Sequence, residues 1–428
     1  MADYIELDFH ASTPCDPRVA KAMAPFLCDH SANPASSHAL GRRAHAVLDA
    51  ARADVAATLG AVDPADIVFC PSATFANNLA LRGALAALPA ARRHLAVSAI
   101  EHSSVLETAR DLGKRGVPGS MAPVKVTILP VDEKGIVRLG PLETALAAGC
   151  SLVSVMGANN EVGAIEPVQA IAALCRRYGA VYHCDASQAF GRIPLSSVQG
   201  QPWPDLVTIS GHKVYGPQGV AALFVRHGLT LQPITTGGTH ERGLVPGTPP
   251  VAPAVGLGVA CKILRAEGAA ECVRMATLRD RLWGRLASAM GENVMVNGPW
   301  AMPPEMANTN LPMVLGARER WNAEHWIERG RLPGNLHVTL LGVCPTRLFA
   351  ALDPVMAVSG AAACKGPGSS HVLAAMDVGA EQGAPVRFGI GRYTTATDVD
   401  RAAEMVVRAA NTLRGEGCPV EHGEGHAV

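Results

Sequence analysis

The stretches VYHCDASQAFG (Val181–Gly191) and VTISGHKVYGPQG (Val207–Gly219) follow each other near the middle of this 428-residue chain. Each starts as a short run of apolar and β-branched residues, typical of a buried strand, and continues into small and polar residues. Asp185 and Gln188 come at the end of the first strand, and Lys213 comes just after the second. Because parallel strands end at the same edge of a sheet, where ligands bind, we expect these three side chains to share one site.

Short strands and Ala-rich helices alternate through the first two thirds of the chain. The further predicted strands are Ile67–Ser72, His94–Ile100, Lys125–Val131, Ser151–Gly157 and Val220–Val225. The predicted helices include Ala76–Leu88, Ser104–Lys114, Gly140–Ala148 and Val168–Tyr178. This alternation predicts an α/β domain built on a mainly parallel sheet.

The chain length favours two or three domains. A long helical stretch, Pro249–Met290, precedes an α+β pattern with strand-like segments at Asn335–Leu341 and Val386–Gly391, and Trp300–Pro333 has the composition of an insertion. We therefore predict residues 1–20 as a segment that joins the small domain, 21–260 as the large domain, 261–415 as the small C-terminal domain, and 416–428 as a flexible tail.

Composition argues against several classes of function. The 37 basic and 37 acidic residues balance, and there is no basic run, so we expect no nucleic-acid partner. The apolar stretches are too short to span a bilayer, and the start MADYIELDFHAS lacks a signal-peptide core, so we expect a cytoplasmic protein without membrane association. The eleven cysteines are scattered without a C-x-x-C pair, so we expect no metal site.

A lysine and an aspartate at neighbouring strand ends are what pyridoxal 5'-phosphate (PLP) chemistry needs. The lysine forms a Schiff base with the cofactor, and the carboxylate keeps the pyridine nitrogen protonated so that the ring can take up electrons. The small-residue turn in CPSATFANNLALRG (Cys70–Gly83) could bind a phosphate at a helix N-terminus, and His102 could stack on a ring. Taken singly, such residues are also typical of ordinary loops, turns, helix caps and structural histidines.

In this order the segments resemble the class V enzymes of the fold-type I PLP-dependent aminotransferase superfamily. Within it they are most similar to the cysteine desulfurases that serve iron–sulfur assembly and nitrogenase maturation. The resemblance covers nearly the whole chain and includes Ser12–Phe26, Asn33–Ala44, Asn159–Val168, Gly237–Thr248, Ser359–Gly366 and Val386–Thr395. It implies a large domain with a mainly parallel mixed sheet flanked by helices, and a smaller α+β C-terminal domain.

The resemblance also implies a role for each matching residue near the cofactor ring. Lys213 would hold PLP, Asp185 would pair with its ring nitrogen, and Gln188 would lie at the ring hydroxyl. His102 would stack on the ring and move protons, and Asn160 would lie beside the cofactor and the substrate.

The same resemblance implies how the phosphate and the substrate are bound. The expected phosphate ligands of one chain are Ala73, Thr74, Ser210 and His212. Thr248 would reach the phosphate bound by the other subunit, which implies a homodimer. Arg387 would grip the substrate carboxylate, a task for which its planar fork of donors is suited.

Cys364 lies in the Gly/Ala/Ser-rich stretch SGAAACKG (Ser359–Gly366), where family members carry a nucleophilic cysteine on a loop. The resemblance implies that PLP labilises L-cysteine and that the Cys364 thiolate attacks the substrate sulfur. L-Alanine then leaves, and the persulfide on the enzyme passes its sulfur to an acceptor protein, either a scaffold or a carrier.

Several positions depart from the family pattern. Ser72 and Phe75 flank the Ala-Thr turn, Val245 stands where the family has an arginine, and the cysteine loop is one alanine longer. Two alternatives therefore stay open. One is another class V reaction, that of a selenocysteine lyase, C–S lyase, epimerase or aminotransferase. The other is a degenerate subunit that serves only as a scaffold.

Overall fold

The computed structural model of the chain describes residues 4–29, 32–60, 62–117, 119–120, 122–193, 195, 201–300, 330–360, 370–379 and 382–416. Its strands are β1 Ile5–Glu6, β2 Ile67–Cys70, β3 His94–Ser98, β4 Lys125–Leu129, β5 Leu152–Ser154, β6 Val181–Asp185, β7 Leu206–Ser210, β8 Ala221–Val225, β9 Val294–Val296, β10 Asn335–Leu341, β11 Met356–Ala357 and β12 Gly383–Gly389. Its α-helices are α1 Pro17–Cys28, α2 Ala39–Leu59, α3 Ala73–Ala86, α4 Ser103–Arg115, α5 Leu139–Ala147, α6 Val168–Tyr178, α7 Val251–Met290, α8 Pro345–Leu352, α9 His371–Ala375 and α10 Ala396–Leu413. Among these helices none has both the length and the hydropathy that a bilayer crossing requires.

The larger sheet has seven strands in the order β2-β8-β7-β6-β5-β3-β4. All of them run parallel except β8, which is antiparallel to both of its neighbours, β2 and β7. Every residue of β2, β3, β5, β7 and β8 is buried, as expected for strands covered on both faces. The predicted mainly parallel sheet of an α/β fold is confirmed.

The parallel strands of this sheet end at one edge, which we call the strand-end edge. Asp185 is the last residue of β6 and Ser210 is the last residue of β7. Helix α3, which follows β2, begins at Ala73 and so starts three residues before the predicted position. The reason is a cap: the hydroxyl of Ser72 accepts a hydrogen bond from the backbone N–H of Phe75 at 3.1 Å.

Helix α7 carries the chain from the larger sheet to a second core. Leu257 and Ala260, in its first half, pack in the core around the larger sheet. Leu282 and Leu286, in its second half, pack in the other core. The predicted boundary between residues 260 and 261 therefore falls inside one continuous helix.

The second core surrounds a three-stranded antiparallel sheet, β12-β10-β9, and a parallel pair formed by β1 and β11. Ile5 and Leu7 of the N-terminal segment are buried in this core. The segment then crosses to the larger sheet, where the backbone N–H of Thr13 donates to the carbonyl of His212 at 2.9 Å. Residues 10–13 therefore reach the strand-end edge from the side of the second core.

Candidate active site

Lys213 lies in the tight turn that follows β7. Its Nζ donates hydrogen bonds to the carbonyl oxygens of His10 at 2.6 Å and Ala11 at 2.8 Å. Burial lowers the pKa of Lys213 to about 8, and the positive charges of Arg192 and Arg387 act in the same direction. A lysine with this pKa has a substantial neutral fraction near pH 8 and can attack an aldehyde.

Asp185 is buried at the end of β6, where two donors hold its carboxylate. Its Oδ1 accepts from the backbone N–H of Ser187 at 2.9 Å, and its Oδ2 accepts from Asn77 Nδ2 at 2.7 Å. Each carboxylate oxygen keeps a lone pair for a further donor, such as a protonated ring nitrogen. The charge of Asp185 raises the pKa of both Lys213 and His102 against the stronger effect of burial, so Asp185 lies near both side chains.

Gln188 is buried beside the N-terminal segment and is held at both ends of its amide group. Its Oε1 accepts from His10 Nδ1 at 3.0 Å and from Arg192 Nη1, and its Nε2 donates to the His10 carbonyl at 2.9 Å. Because an amide oxygen can only accept, His10 must carry a proton on Nδ1. The second proton on Gln188 Nε2 is available to a ligand hydroxyl.

His102 caps the N-terminus of α4, which follows β3. Its Nδ1 accepts a hydrogen bond from the backbone N–H of Ser104 at 3.1 Å and lies 2.8 Å from the Ser104 hydroxyl. Burial lowers the pKa of His102 below its usual 6.5, and the charge of Asp185 only partly opposes this effect. At neutral pH the side chain is therefore an uncharged imidazole, suited to stack on an aromatic ring.

The four predicted phosphate ligands, which lie where α3 begins and where β7 ends, are Ala73, Thr74, Ser210 and His212. At the start of α3, the hydroxyl and the carbonyl of Ser72 already accept the N–H groups of the third and fourth helical residues. The N–H groups of Ala73 and Thr74 are thus left for another acceptor, at the positive end of the helix dipole. Burial lowers the pKa of His212 to about 4, so this side chain is neutral.

Arg387 lies on β12, and its side chain is only 1% exposed. Its Nη1 donates to the carbonyl of Asn160 at 2.9 Å, and its Nη2 donates to Asp8 Oδ1 at 2.7 Å. Its Nε is buried and has no hydrogen-bond partner among the described residues. A substrate carboxylate would supply that acceptor, which fits the predicted role of Arg387.

One predicted site residue within the described part of the chain, Thr248, is not brought to this cluster. Thr248 is exposed and lies beside a pocket of about 490 Å³, which is lined by Phe26, Leu27, Ala32, Asn33, Thr248, Val251, Ala252 and Pro253. Lys213 and its partners are not among these residues. Cys364 lies outside the described residues.

Sequence analysis missed several side chains that form hydrogen bonds with the predicted site residues, among them Asn77, Arg192 and His10. Asn77 stands three positions after Thr74 on the same helix, so helical spacing was a usable signal for it. Arg192 stands four positions after Gln188, in the turns that follow β6. His10 meets Gln188 across 178 positions, for which one sequence contains no local signal.

The donor set of the strand-end edge fits PLP. It offers a carboxylate for the ring nitrogen, an amide proton for the ring hydroxyl and a primary amine for the aldehyde. It also offers a neutral imidazole for the ring face and a helix N-terminus for the phosphate. Each functional group of the cofactor thus has a chemically matched partner.

Residues 5–313 match the family model described as aminotransferase class-V. Cysteine desulfurase IscS from Pectobacterium carotovorum subsp. carotovorum (strain PC1) is 37% identical over 418 residues, which cover 96% of this chain and 93% of that protein. Among solved structures, a NifS-like protein has a TM-score of 0.81 at 29% identity and covers 96% of this chain and 100% of its own. SspA in complex with cysteine has a TM-score of 0.72 at 27% identity, with coverages of 91% and 100%.

The residues that match the family model include the strand-end edge from the start of α3 to the turn after β7. The geometry there and the similarity over nearly the whole chain lead to the same conclusion. The chain belongs to the aminotransferase class-V family of PLP-dependent enzymes.

Proposed function

We propose that this protein is a cysteine desulfurase, which uses PLP to remove sulfur from L-cysteine and gives L-alanine and a persulfide on Cys364. The observation that carries the proposal is the convergence of Lys213, Asp185, Gln188 and His102 at one edge of the sheet, in a chain that is 37% identical to a cysteine desulfurase.

Each of these side chains has a task in the proposed reaction. When bound, PLP supplies an electron sink for the electron pair left on the substrate carbon. Asp185 holds the ring nitrogen protonated, and Gln188 donates to the ring hydroxyl. Lys213, with its pKa lowered to about 8 by burial, can take up and return a proton near neutral pH. His102 stacks on the ring and excludes water from its face.

Arg387 orients the substrate by its carboxylate. In the free protein its guanidinium is held by the Asp8 carboxylate and the Asn160 carbonyl, with Nε left without an acceptor among the described residues. A bound substrate carboxylate pairs with this buried positive charge and relieves the unsatisfied Nε. The amino group of the substrate is then directed toward Lys213.

The sulfur step uses Cys364 as the nucleophile. Its thiolate attacks the substrate Sγ, so that a sulfur–sulfur bond forms while the carbon–sulfur bond breaks. The electron pair of the broken bond stays with the substrate carbon, which takes up a proton and yields L-alanine. The persulfide then passes its sulfur to an acceptor protein.

A homodimer is part of the proposal, with Thr248 of each chain completing the phosphate site of the other. Its support is the position of Thr248 on the surface, beside a pocket that is partly lined by the exposed Leu27. The cytoplasmic location expected from the sequence stays a prediction.

The test is to supply the purified PLP-loaded protein with L-cysteine and to measure L-alanine and sulfide with and without a thiol reductant. We expect both products, with sulfide release dependent on the reductant because it must cleave the persulfide. Cys364→Ser should keep the absorption band of the bound cofactor and lose about a hundredfold or more of alanine formation.

Lys213→Ala is the control variant that removes the amine predicted to hold the cofactor. Unlike Cys364→Ser, it should lose the absorption band of the bound cofactor. Turnover of L-cysteine by Cys364→Ser at the wild-type rate would contradict the persulfide mechanism. An amino acid other than L-cysteine that alone changed the absorption band would point to another class V reaction.

A further inference from the structure

A chain of buried hydrogen bonds links Asp185 to His102. Asn77 Nδ2 donates to Asp185 Oδ2 at 2.7 Å and to Ser104 Oγ at 2.8 Å. Ser104 Oγ in turn lies 2.8 Å from His102 Nδ1. Asn77 is 0% exposed, Asp185 5% and Ser104 8%, so water does not compete for these bonds.

The donor and acceptor of every bond in this chain follow from elementary chemistry. The backbone N–H of Ser104 can only donate, so His102 Nδ1, which receives it at 3.1 Å, bears a lone pair. The Ser104 hydroxyl can therefore donate to the same Nδ1 while its oxygen accepts from Asn77. A neutral His102 must then carry its proton on Nε2.

The orientation of the Asn77 amide is equally constrained. Turning the amide over would set its oxygen against the Asp185 carboxylate, where two acceptors repel each other. Its Oδ1 is buried and has no hydrogen-bond partner among the described residues. A buried amide oxygen without a donor is unfavourable, so the contacts of Nδ2 decide the orientation.

We propose that Asn77 and Ser104 are positioning residues for the PLP site, which aim the Asp185 carboxylate at the ring nitrogen and hold His102 in the Nε2–H tautomer. The inference rests on the proposed function for the stacking of His102 on the ring. It adds that one hydrogen-bond chain orients both Asp185, at the ring nitrogen, and His102, at the face of the ring. Neither Asn77 nor Ser104 touches the reacting atoms.

Ser104→Ala tests the hydrogen-bond chain at its centre, because it removes the hydroxyl and keeps the backbone N–H that donates to the capping side chain of His102. Loss of a donor to Nδ1 makes that nitrogen more basic, so the pKa of His102 should rise by about one-half to one unit. The charged and titratable neighbours that act on the pKa of His102 include Asp185, Lys213, His371 and Glu161, and these four stay unchanged in this variant.

The readout is the ¹⁵N NMR spectrum of histidine-labelled PLP-loaded protein, titrated with acid, with the His102 signals assigned through His102→Gln. We expect the Nε2–H tautomer in the wild type, the raised pKa in Ser104→Ala, and a return toward the wild-type value in Ser104→Thr, which restores the hydroxyl. A wild-type Nδ1–H tautomer, or an unchanged His102 pKa in Ser104→Ala, would overturn the proposal.

Asn77→Leu removes the hydrogen bond from Asn77 to Asp185. It provides a second readout, the affinity for PLP. Loss of one hydrogen bond to a buried carboxylate should weaken PLP binding about tenfold. Should this variant fail to fold, the titration of Ser104→Ala still decides the proposal. Absence of L-alanine from L-cysteine in the wild type would contradict the desulfurase reaction alone, whereas unchanged His102 behaviour would contradict this inference alone.

Discussion

At the scale of single residues, substitution of Arg192 tests what lowers the pKa of Lys213. Burial and, after it, the positive charge of Arg192 lower the pKa of Lys213 to about 8, and Arg192 Nη2 donates to the Lys213 carbonyl at 2.9 Å. In Arg192→Gln this charge is lost, so the protonated amine is favoured and the pKa of Lys213 should rise by about one unit. The measurement is the pH midpoint of the rate at which the cofactor-free protein takes up PLP, because only the neutral amine reacts.

Arg192→Lys is the control for this experiment, since it keeps the charge but changes the shape of the donor group. Its midpoint should stay near the wild-type value, while that of Arg192→Gln moves upward. A midpoint that fell or stayed in place in Arg192→Gln would show that the charge of Arg192 does not lower the pKa of Lys213.

The sequence was sufficient to predict site residues at the ends of strands. It was not sufficient to predict the residues that form hydrogen bonds with them. Asp185 and Lys213 could be predicted because local patterns of apolar and small residues indicate where strands end and loops begin. The contact of His10 with Gln188 joins positions 178 apart and depends on how the N-terminal segment crosses between the two cores. Such a contact is a property of the folded chain rather than of any local stretch.

At the scale of elements, the turn between β7 and Lys213 is shaped by Gly211. A Cβ at this position would lie 2.8 Å from the carbonyl oxygen of Val220 and 2.9 Å from that of Pro217, both of which belong to the backbone. Gly211→Ala must therefore displace the turn that presents Lys213, and overpacking of this kind costs about 1–3 kcal/mol. We expect a lower free energy of unfolding in urea and PLP affinity reduced about tenfold or more.

The matched control is Gly140→Ala in α5, where a new Cβ would meet no atom within 4 Å. Alanine favours a helix over glycine by up to about 1 kcal/mol, so this variant should be as stable as the wild type or slightly more stable. Equal effects of the two substitutions would contradict the account of Gly211, because only one of them introduces a steric conflict.

The bounds of elements were predicted well where periodicity is strong and less well where capping decides. Helix α6 occupies the predicted residues Val168–Tyr178, whose apolar positions recur at helical spacing. Helix α3 begins earlier than predicted because its start depends on one hydroxyl, that of Ser72. A single capping side chain is a weaker signal than a periodic pattern spread over a whole helix.

At the scale of the whole molecule, the proposed homodimer can be tested at an exposed apolar surface of the single chain. Leu27 is 64% exposed and lines the pocket beside Thr248, so a partner that covers this surface would bury an apolar side chain and bring Thr248 to its own phosphate site. A charge placed there would have to be desolvated in the interface. Leu27→Asp should therefore shift the protein in sedimentation velocity from twice the 44.5 kDa chain mass toward the mass of one chain, and should weaken PLP binding as Thr248 is withdrawn. Ile128→Asp is the control, because Ile128 is 49% exposed on the edge strand β4 and does not line that pocket, so the assembly should persist. A Leu27→Asp protein with wild-type mass and wild-type PLP affinity would place the interface elsewhere and would remove the predicted role of Thr248.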